Sequence, residues 1–471
     1  MAKPLDYETR IQQIDKTLRV NESFDLIKRP LTIAGKRAVM YMIDGFVKDE
    51  IFEKIMEFLM KADAKDVNPL STAREFADAF VSYVEVDIVP DMDAMITPVL
   101  SGTIALVMEQ YQDIILIDGR TYPTRGVGEP EDDKVLRGSH DGFVETMVFN
   151  TALVRRRIRD TDLTMEIHQI GQTSKTDVVL SYMKSRVDKK FLKEVQHMLD
   201  NLNVNSLTMA QESLTEALLK KGWYNPFPKV RYTERPDTAA ANLLEGKLVI
   251  IVDNTPTAII LPATVFDFVQ ESNDFYFPPM VGTYLRLVRM LIFLATIFLT
   301  PVWYLLVKNP EFIPPWLSFI QVAEPAGIPI WGQLLLFEIA IDGLKLASLN
   351  TPNALSNSFS VVGALILGDF AVQANWFVPE ALMYMGFVAI GNFTQPSFEL
   401  GYAFKLCRML LIILIALFNF WGFIAGILVI ILLVSTNRTV AGKSYLYPLI
   451  PFNWHDFSHL VVRRKMSNKN S

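Results

Sequence analysis

The sequence predicts an α/β soluble N-terminal region of two small lobes, followed by an all-α polytopic membrane domain. Three observations carry this expectation. Met409 to Asn437 runs 29 residues without a charge, whereas about 20 apolar residues of helix cross the hydrocarbon core of a bilayer. Met290 to Val307 is a second uncharged run, of 18 residues. Before about residue 284, short β-branched runs alternate with stretches of helical period, the pattern of layered α/β units. The expected boundaries are 1–135 for a first cytosolic lobe with an N-terminal helical segment, 136–283 for a second cytosolic lobe, 284–437 for the membrane domain and 438–471 for a basic tail.

The first lobe opens on a polar stretch to about residue 34, read as helical or loosely ordered. Arg37 to Val47 is a β-rich apolar run. Asp49 to Lys61 has apolar residues at 51, 52, 55, 56, 59 and 60, a helical period. Met92 to Leu100 reads as a short helix. Thr103 to Glu109 and Asp113 to Arg120 read as strands joined by a tight turn. A loop with two prolines and four glycines, Thr121 to Gly142, separates the lobes.

The second lobe starts with an expected amphipathic helix, Phe143 to Arg159, ending in Arg155, Arg156, Arg157 and Arg159. Strands at Thr164–Ile170 and Asp177–Tyr182, helices at Lys189–Leu202 and Leu214–Lys221, and a strand pair within Leu248–Leu261 follow. The arginines could meet lipid phosphates or an acidic partner. The plainer reading is a solvated helix C-terminus complementing its own dipole.

Candidate spans lie at 285–307, 328–349, 356–376, 379–396 and 404–436. Pro310 to Pro329 carries five prolines with tryptophans nearby, suiting a short turn at the far boundary. Arg286 and Arg289 precede the first span, and Arg463, Arg464 and Lys465 lie in the tail. Both sets favour the cytosol. Five full crossings would put the tail on the opposite side, so the span count and the charges conflict; 328–349, with three charges, is the weakest span.

Composition narrows the function classes. The chain has 471 residues and a formal charge of −6, which argues against a nucleic-acid partner. A single cysteine, Cys407, leaves no disulfide framework or Cys-rich metal site. The charged N-terminus has no apolar signal core, so the lobes are expected in the cytosol. Gly126 and Gly128 form no phosphate cradle. Ser139, His140 and Asp141 are mere sequence neighbours. His455 and His459 have metal-like spacing but only Asp456 beside them. No enzyme activity, cofactor or metal is expected.

The membrane part holds the chemistry-bearing candidates. Glu338, Asp342 and Lys345 are four and three residues apart and share one helical face. A charge at the bilayer centre costs about 2.5–3.5 kcal/mol, so such residues face a pore, a cavity or each other. One reading is a stripe lining an ion path. The other is an interfacial helix lying flat, held by an Asp–Lys pair. Gly363 and Gly368, with Ala364, suit close helix packing. Asp369 is read as lying at the membrane edge.

Several stretches carry a family resemblance. EPEDDKVLRGSHDGFVETMVFNTALVRRRIRD (Glu129 to Asp160) resembles the hallmark of the A subunit of bacterial spore germinant receptors, the GerA family. TERPDTAAANLLEGKLVIIVDNTPTAIILPATVFDFVQ (Thr233 to Gln270) is similar to its second signature. Glu338, Asp342 and Lys345 fall where the family carries two acids and a base, and GALILGDFAV (363–372) and PSFELGYAFKLCR (396–408) match its later helices. The chain departs from the receptor subunits with Arg-Gly-Ser at 137–139 and with Asp369, and Ser356 to Glu380 looks closest to the divergent stage V sporulation branch.

The resemblance implies a protein of the inner spore membrane that assembles as a homo-oligomeric ring around an ion pathway. It also implies neighbours: a transporter-like subunit, a lipoprotein subunit or a small membrane protein. The expected function is an oligomeric subunit that forms or gates an ion-release channel in germination. The rival is a non-conducting scaffold or adaptor.

Overall fold

The computed structural model describes residues 6–83, 85–120, 130, 134–135, 138–219, 224–271, 273–350 and 371–463. It divides into two compact units, Met1–Lys221 with Val230–Pro262, and Gly222–Lys229 with Ala263–Ser471.

The first unit holds the two lobes. Lobe one contains α1 (Tyr7–Leu18), β1 (Leu26–Ile33), β2 (Lys36–Ile43), α2 (Asp49–Met60), α3 (Ala64–Val67), α4 (Ala73–Phe80), β3 (Val86–Val89), α5 (Met92–Leu100), β4 (Ile104–Met108) and β5 (Ile114–Ile117). Its antiparallel sheet has the order β1-β2-β4-β5-β3. Side chains alternate across a strand. Ala38, Met40 and Met42 of β2 therefore join the core built with Ile55, Leu59 and Phe76. Val39, Tyr41 and Ile43 join the opposite core with Ile14, Leu18 and Val99. Helices cover both faces, which is why β2 and β4 read as continuous apolar runs rather than alternating ones.

Lobe two contains α6 (Met147–Arg157), β6 (Leu163–Ile170), β7 (Thr176–Met183), α7 (Lys189–Asp200), α8 (Ala210–Leu218), β8 (Arg231–Thr233), α9 (Pro236–Leu244), β9 (Leu248–Val252) and β10 (Ala258–Leu261). Its order, β6-β7-β9-β10-β8, repeats that of lobe one with every strand number raised by five. The lobes are thus a structural duplication. In each, a hairpin, a helical stretch and a short strand that ends at the sheet edge precede a helix and a second hairpin.

Arg155 and Arg157 correct the solvated-terminus reading, whereas Arg159 is exposed and donates to the Arg156 carbonyl. Arg155 has no exposed side-chain surface and forms a buried ion pair with Asp25 of lobe one at 3.0 Å. It also donates to the carbonyls of Asp160 and Leu163. Arg157 binds Asp141 at 2.6 Å and the Ser139 hydroxyl at 2.8 Å, so these two sequence neighbours serve as arginine ligands. The helix is buried through Met147, Asn150, Thr151, Ala152, Leu153 and Val154, more than one amphipathic face provides.

The second unit contains α10 (Asn273–Tyr276), α11 (Pro279–Lys308), α12 (Ile330–Asn350), α13 (Pro379–Phe393), α14 (Phe398–Thr436) and α15 (Trp454–Val461). Two 3-10 turns, Pro310–Phe312 and Pro315–Ile320, fill the proline-rich link, with Trp316 and Phe319 exposed. Gly363, Gly368 and Asp369, and most of the 356–376 span, lie outside the described residues. So do Gly126, Gly128, Arg137, Arg464 and Lys465.

α14 is 39 residues long but does not run straight. Asn419 interrupts it with φ 53° and ψ −130°, a left-handed φ that asparagine tolerates better than most residues. The arms 398–418 and 420–436 are antiparallel. A Cβ on Gly422 would lie 1.9 Å from the Leu414 carbonyl oxygen, and one on Gly426 would lie 2.6 Å from the Leu411 side chain. Only glycine permits this approach. At the tip, Asn419 and Asn309 exchange amide hydrogen bonds of 2.7 Å. Lys308 donates to the carbonyls of Ile415 and Ala416, which the end of the first arm leaves without helical donors. The stretch expected as one span at 404–436 is therefore a helical hairpin.

The hairpin bears on the conflict between span count and tail charge. The Arg463 amide donates to the Thr283 hydroxyl at 3.1 Å, and Arg286 donates to the Leu460 carbonyl at 3.4 Å. The tail thus meets the first turns of α11. Arg286 and Arg289 there converge on Asp274, which is fully buried.

Candidate functional site

Glu338 lies eight residues into the 21-residue helix α12, about 12 Å from its start at 1.5 Å per residue. Facing it is the first arm of α14, which carries Lys405 and Arg408 three residues apart and hence on one face. Arg408 Nε donates to Glu338 Oε1 at 2.5 Å, with side chains 0% and 1% exposed. A second Arg408 nitrogen donates to the Thr296 carbonyl of α11. Lys405 Nζ donates to the Glu338 carbonyl at 2.8 Å and pairs with the Asp342 carboxylate. Three helices thus meet on one charged cluster.

The three sequence candidates part company here. Glu338 is sealed. Asp342 keeps 31% of its side chain exposed. Lys345 is half-buried, its Nζ 5.0 Å from the Phe393 ring and 5.6 Å from the Tyr402 ring, a cation–π arrangement. The carboxylate of Asp342 is bonded to Lys405 of another helix, which replaces the Asp–Lys pair of the flat-helix reading.

Lys405 and Arg408 are the residues sequence reasoning missed. In the sequence they stand just before the uncharged run that begins at Met409, at the start of the span expected at 404–436, and so read as bases flanking that run. Once the chain folds back at Asn419, the first arm starts at Phe398, and both bases fall in its middle. The available signal was their three-residue spacing, which complements the acids at 338 and 342.

Elsewhere, His455 is exposed beside Asp456 at 3.1 Å. No group of three or more His, Cys, Asp or Glu able to hold a metal occurs among the described residues. Among the described residues, the helix Pro279–Lys308 is long and apolar enough to cross a membrane, and the hairpin Phe398–Thr436 matches it in length and apolar composition when its two arms are taken together.

Residues 12–471 match the model of the Bacillus/Clostridium GerA spore germination protein family. The chain belongs to the GerA family. This GerA-family chain is 37% identical to Stage V sporulation protein AF of Bacillus subtilis (strain 168), over 94% of its own length and 89% of that protein. It is 28% identical to Spore germination protein KA of the same organism, over 92% and 80% of the two chains. Among solved structures, it is similar to the N-terminal domain of the A subunit of the Bacillus megaterium spore germinant receptor GerK3, with 26% identity and a TM-score of 0.42. That match covers 55% of this chain and 96% of the other. The chain is a spore germination or sporulation membrane protein of the GerA family.

Proposed function

We propose that this GerA-family chain is a subunit of an oligomeric complex of the inner spore membrane that forms or gates an ion-release pathway during germination. The two α/β lobes are cytosolic in this reading. The partners are further copies of the chain in a ring, together with a transporter-like subunit, a lipoprotein subunit or a small membrane protein. The observation that carries the reading is the partial exposure of Asp342 and Lys345 on α12, a helix packed against α13 and α14. Facing lipid, each would cost about 2.5–3.5 kcal/mol. Facing a neighbouring copy across water, they line a route for ions. Flux tests this: the purified protein with its partner proteins in liposomes passes ions, and Asp342→Asn changes the rate. No flux with any partner combination refutes it.

The scaffold reading has its own support. The Glu338–Arg408 pair is sealed within one subunit and ties α12 to α14, as a strut would. Under that reading, Asp342→Asn leaves ion release unchanged while partner proteins are lost from the membrane.

A further inference from the structure

The C-terminal segment after the hairpin is folded, and its outer face is apolar. Tyr445 is fully buried and accepts at its carbonyl from the Val265 amide at 3.0 Å. Thereafter Leu449, Ile450, Phe452 and Trp454 are 39%, 57%, 61% and 69% exposed. This run is not loose chain. Asn453 caps α15 by accepting from the His455 amide at 3.1 Å and donates to Asp456 at 2.9 Å. The rings of Phe452, Trp454 and Phe457 form a triad with centroids 5.9–6.2 Å apart. A fixed cluster of large apolar side chains turned to solvent marks an interaction face.

Two observations identify its occupant. The first is position. The segment is bonded to the first turns of α11 through Thr283 and Arg286, where Met280 and Tyr284 also point outward at 87% and 64% exposure. The segment that carries this face is thus tied to the start of a helix long and apolar enough to span a bilayer. The second is charge. From Arg438 onward the sequence has six bases, Arg438, Lys443, Arg463, Arg464, Lys465 and Lys469, against one acid, Asp456, in a chain of net charge −6. Aromatic residues anchor at the headgroup boundary, and clustered bases next to them recognise anionic lipid.

We propose that residues 446–463 form an interfacial anchor that docks on the surface of an anionic lipid leaflet, Phe452 and Trp454 entering the headgroup layer and the positive charge of the C-terminal sequence drawing the segment to lipid phosphates. The anchor holds the start of α11 at that boundary through Thr283 and Arg286. This proposal is independent of ion conduction.

The test uses the full chain with Ile450→Cys carrying a bimane probe; Cys407 is buried and takes no label. The protein is placed in nanodiscs of phosphatidylcholine alone or mixed with phosphatidylglycerol. In the anionic discs, nitroxide-bearing lipid quenches the probe strongly, and aqueous iodide quenches it several-fold less than in phosphatidylcholine alone. Phe452→Ser with Trp454→Ser restores iodide quenching in the anionic discs. Equal iodide quenching in the two lipids, a comparison made with both aromatics intact, overturns the proposal. So does a probe that only an added protein shields.

Discussion

Arg408 Nε lies 2.5 Å from Glu338 Oε1, and neither side chain reaches solvent. Removing one member of such a pair strands a buried charge, at a cost of about 3–5 kcal/mol, whereas replacing both with apolar groups is often close to neutral. Arg408→Ala is therefore expected to lower the melting temperature of the detergent-solubilised protein sharply. Arg408→Met combined with Glu338→Leu recovers most of the loss. Thermal unfolding of Arg408→Met, of Glu338→Leu and of the double variant checks the coupling.

The turn at Asn419 sets the arm boundaries, and with them the depth of Lys405 and Arg408. Asn419→Val places a β-branched residue at φ 53° and removes the amide exchange with Asn309. A destabilisation of about 2–3 kcal/mol is expected from the left-handed backbone and the lost hydrogen bonds. Asn419→Gly keeps the backbone and loses only the hydrogen bonds, about 1 kcal/mol. Paired melting curves distinguish the two.

In the lobes, Arg155 and Asp25 are buried together at 3.0 Å. Asp25→Ala is expected to cost about 3–5 kcal/mol by leaving the guanidinium uncompensated, and to expose the boundary between the lobes to protease. Limited proteolysis of the full chain reads this out.

Asp141 supplies a pH dependence. Burial works to raise its pKa, but hydrogen bonds from Arg157 and Ser139 outweigh it, leaving the carboxyl below its ordinary value. An unfolded Asp titrates near 3.9. A depressed folded value therefore contributes stability that is whole above about pH 4 and is lost as pH falls through the folded value. Arg157→Gln should cost about 1–2 kcal/mol near pH 7, and the gap to the unaltered protein should shrink as pH falls below 4. Denaturant melts across that range measure it.

Much of the fold was legible because period and composition agreed with tertiary packing. The hairpin strands at 103–109 and 113–120 and the helix at 49–61 read directly. The strands β1, β3 and β8 did not. β1 is an edge strand interrupted by Pro30 and carrying Lys28 and Arg29, and β3 and β8 are four and three residues long, too short for a period to show. The duplication of the lobes was hidden because strand order, not sequence pattern, carries it. Of the charged cluster, the acids were legible from spacing. Their bases were not, because a single asparagine in an otherwise apolar run decides where the helix turns.

The most direct measurement is cation release from germinating spores carrying Asp342→Lys, with the protein at its normal level in the membrane. The substitution reverses the charge at the partly exposed position and alters neither member of the sealed Glu338–Arg408 pair. The account predicts release slowed at least tenfold. Release at the unaltered rate contradicts it.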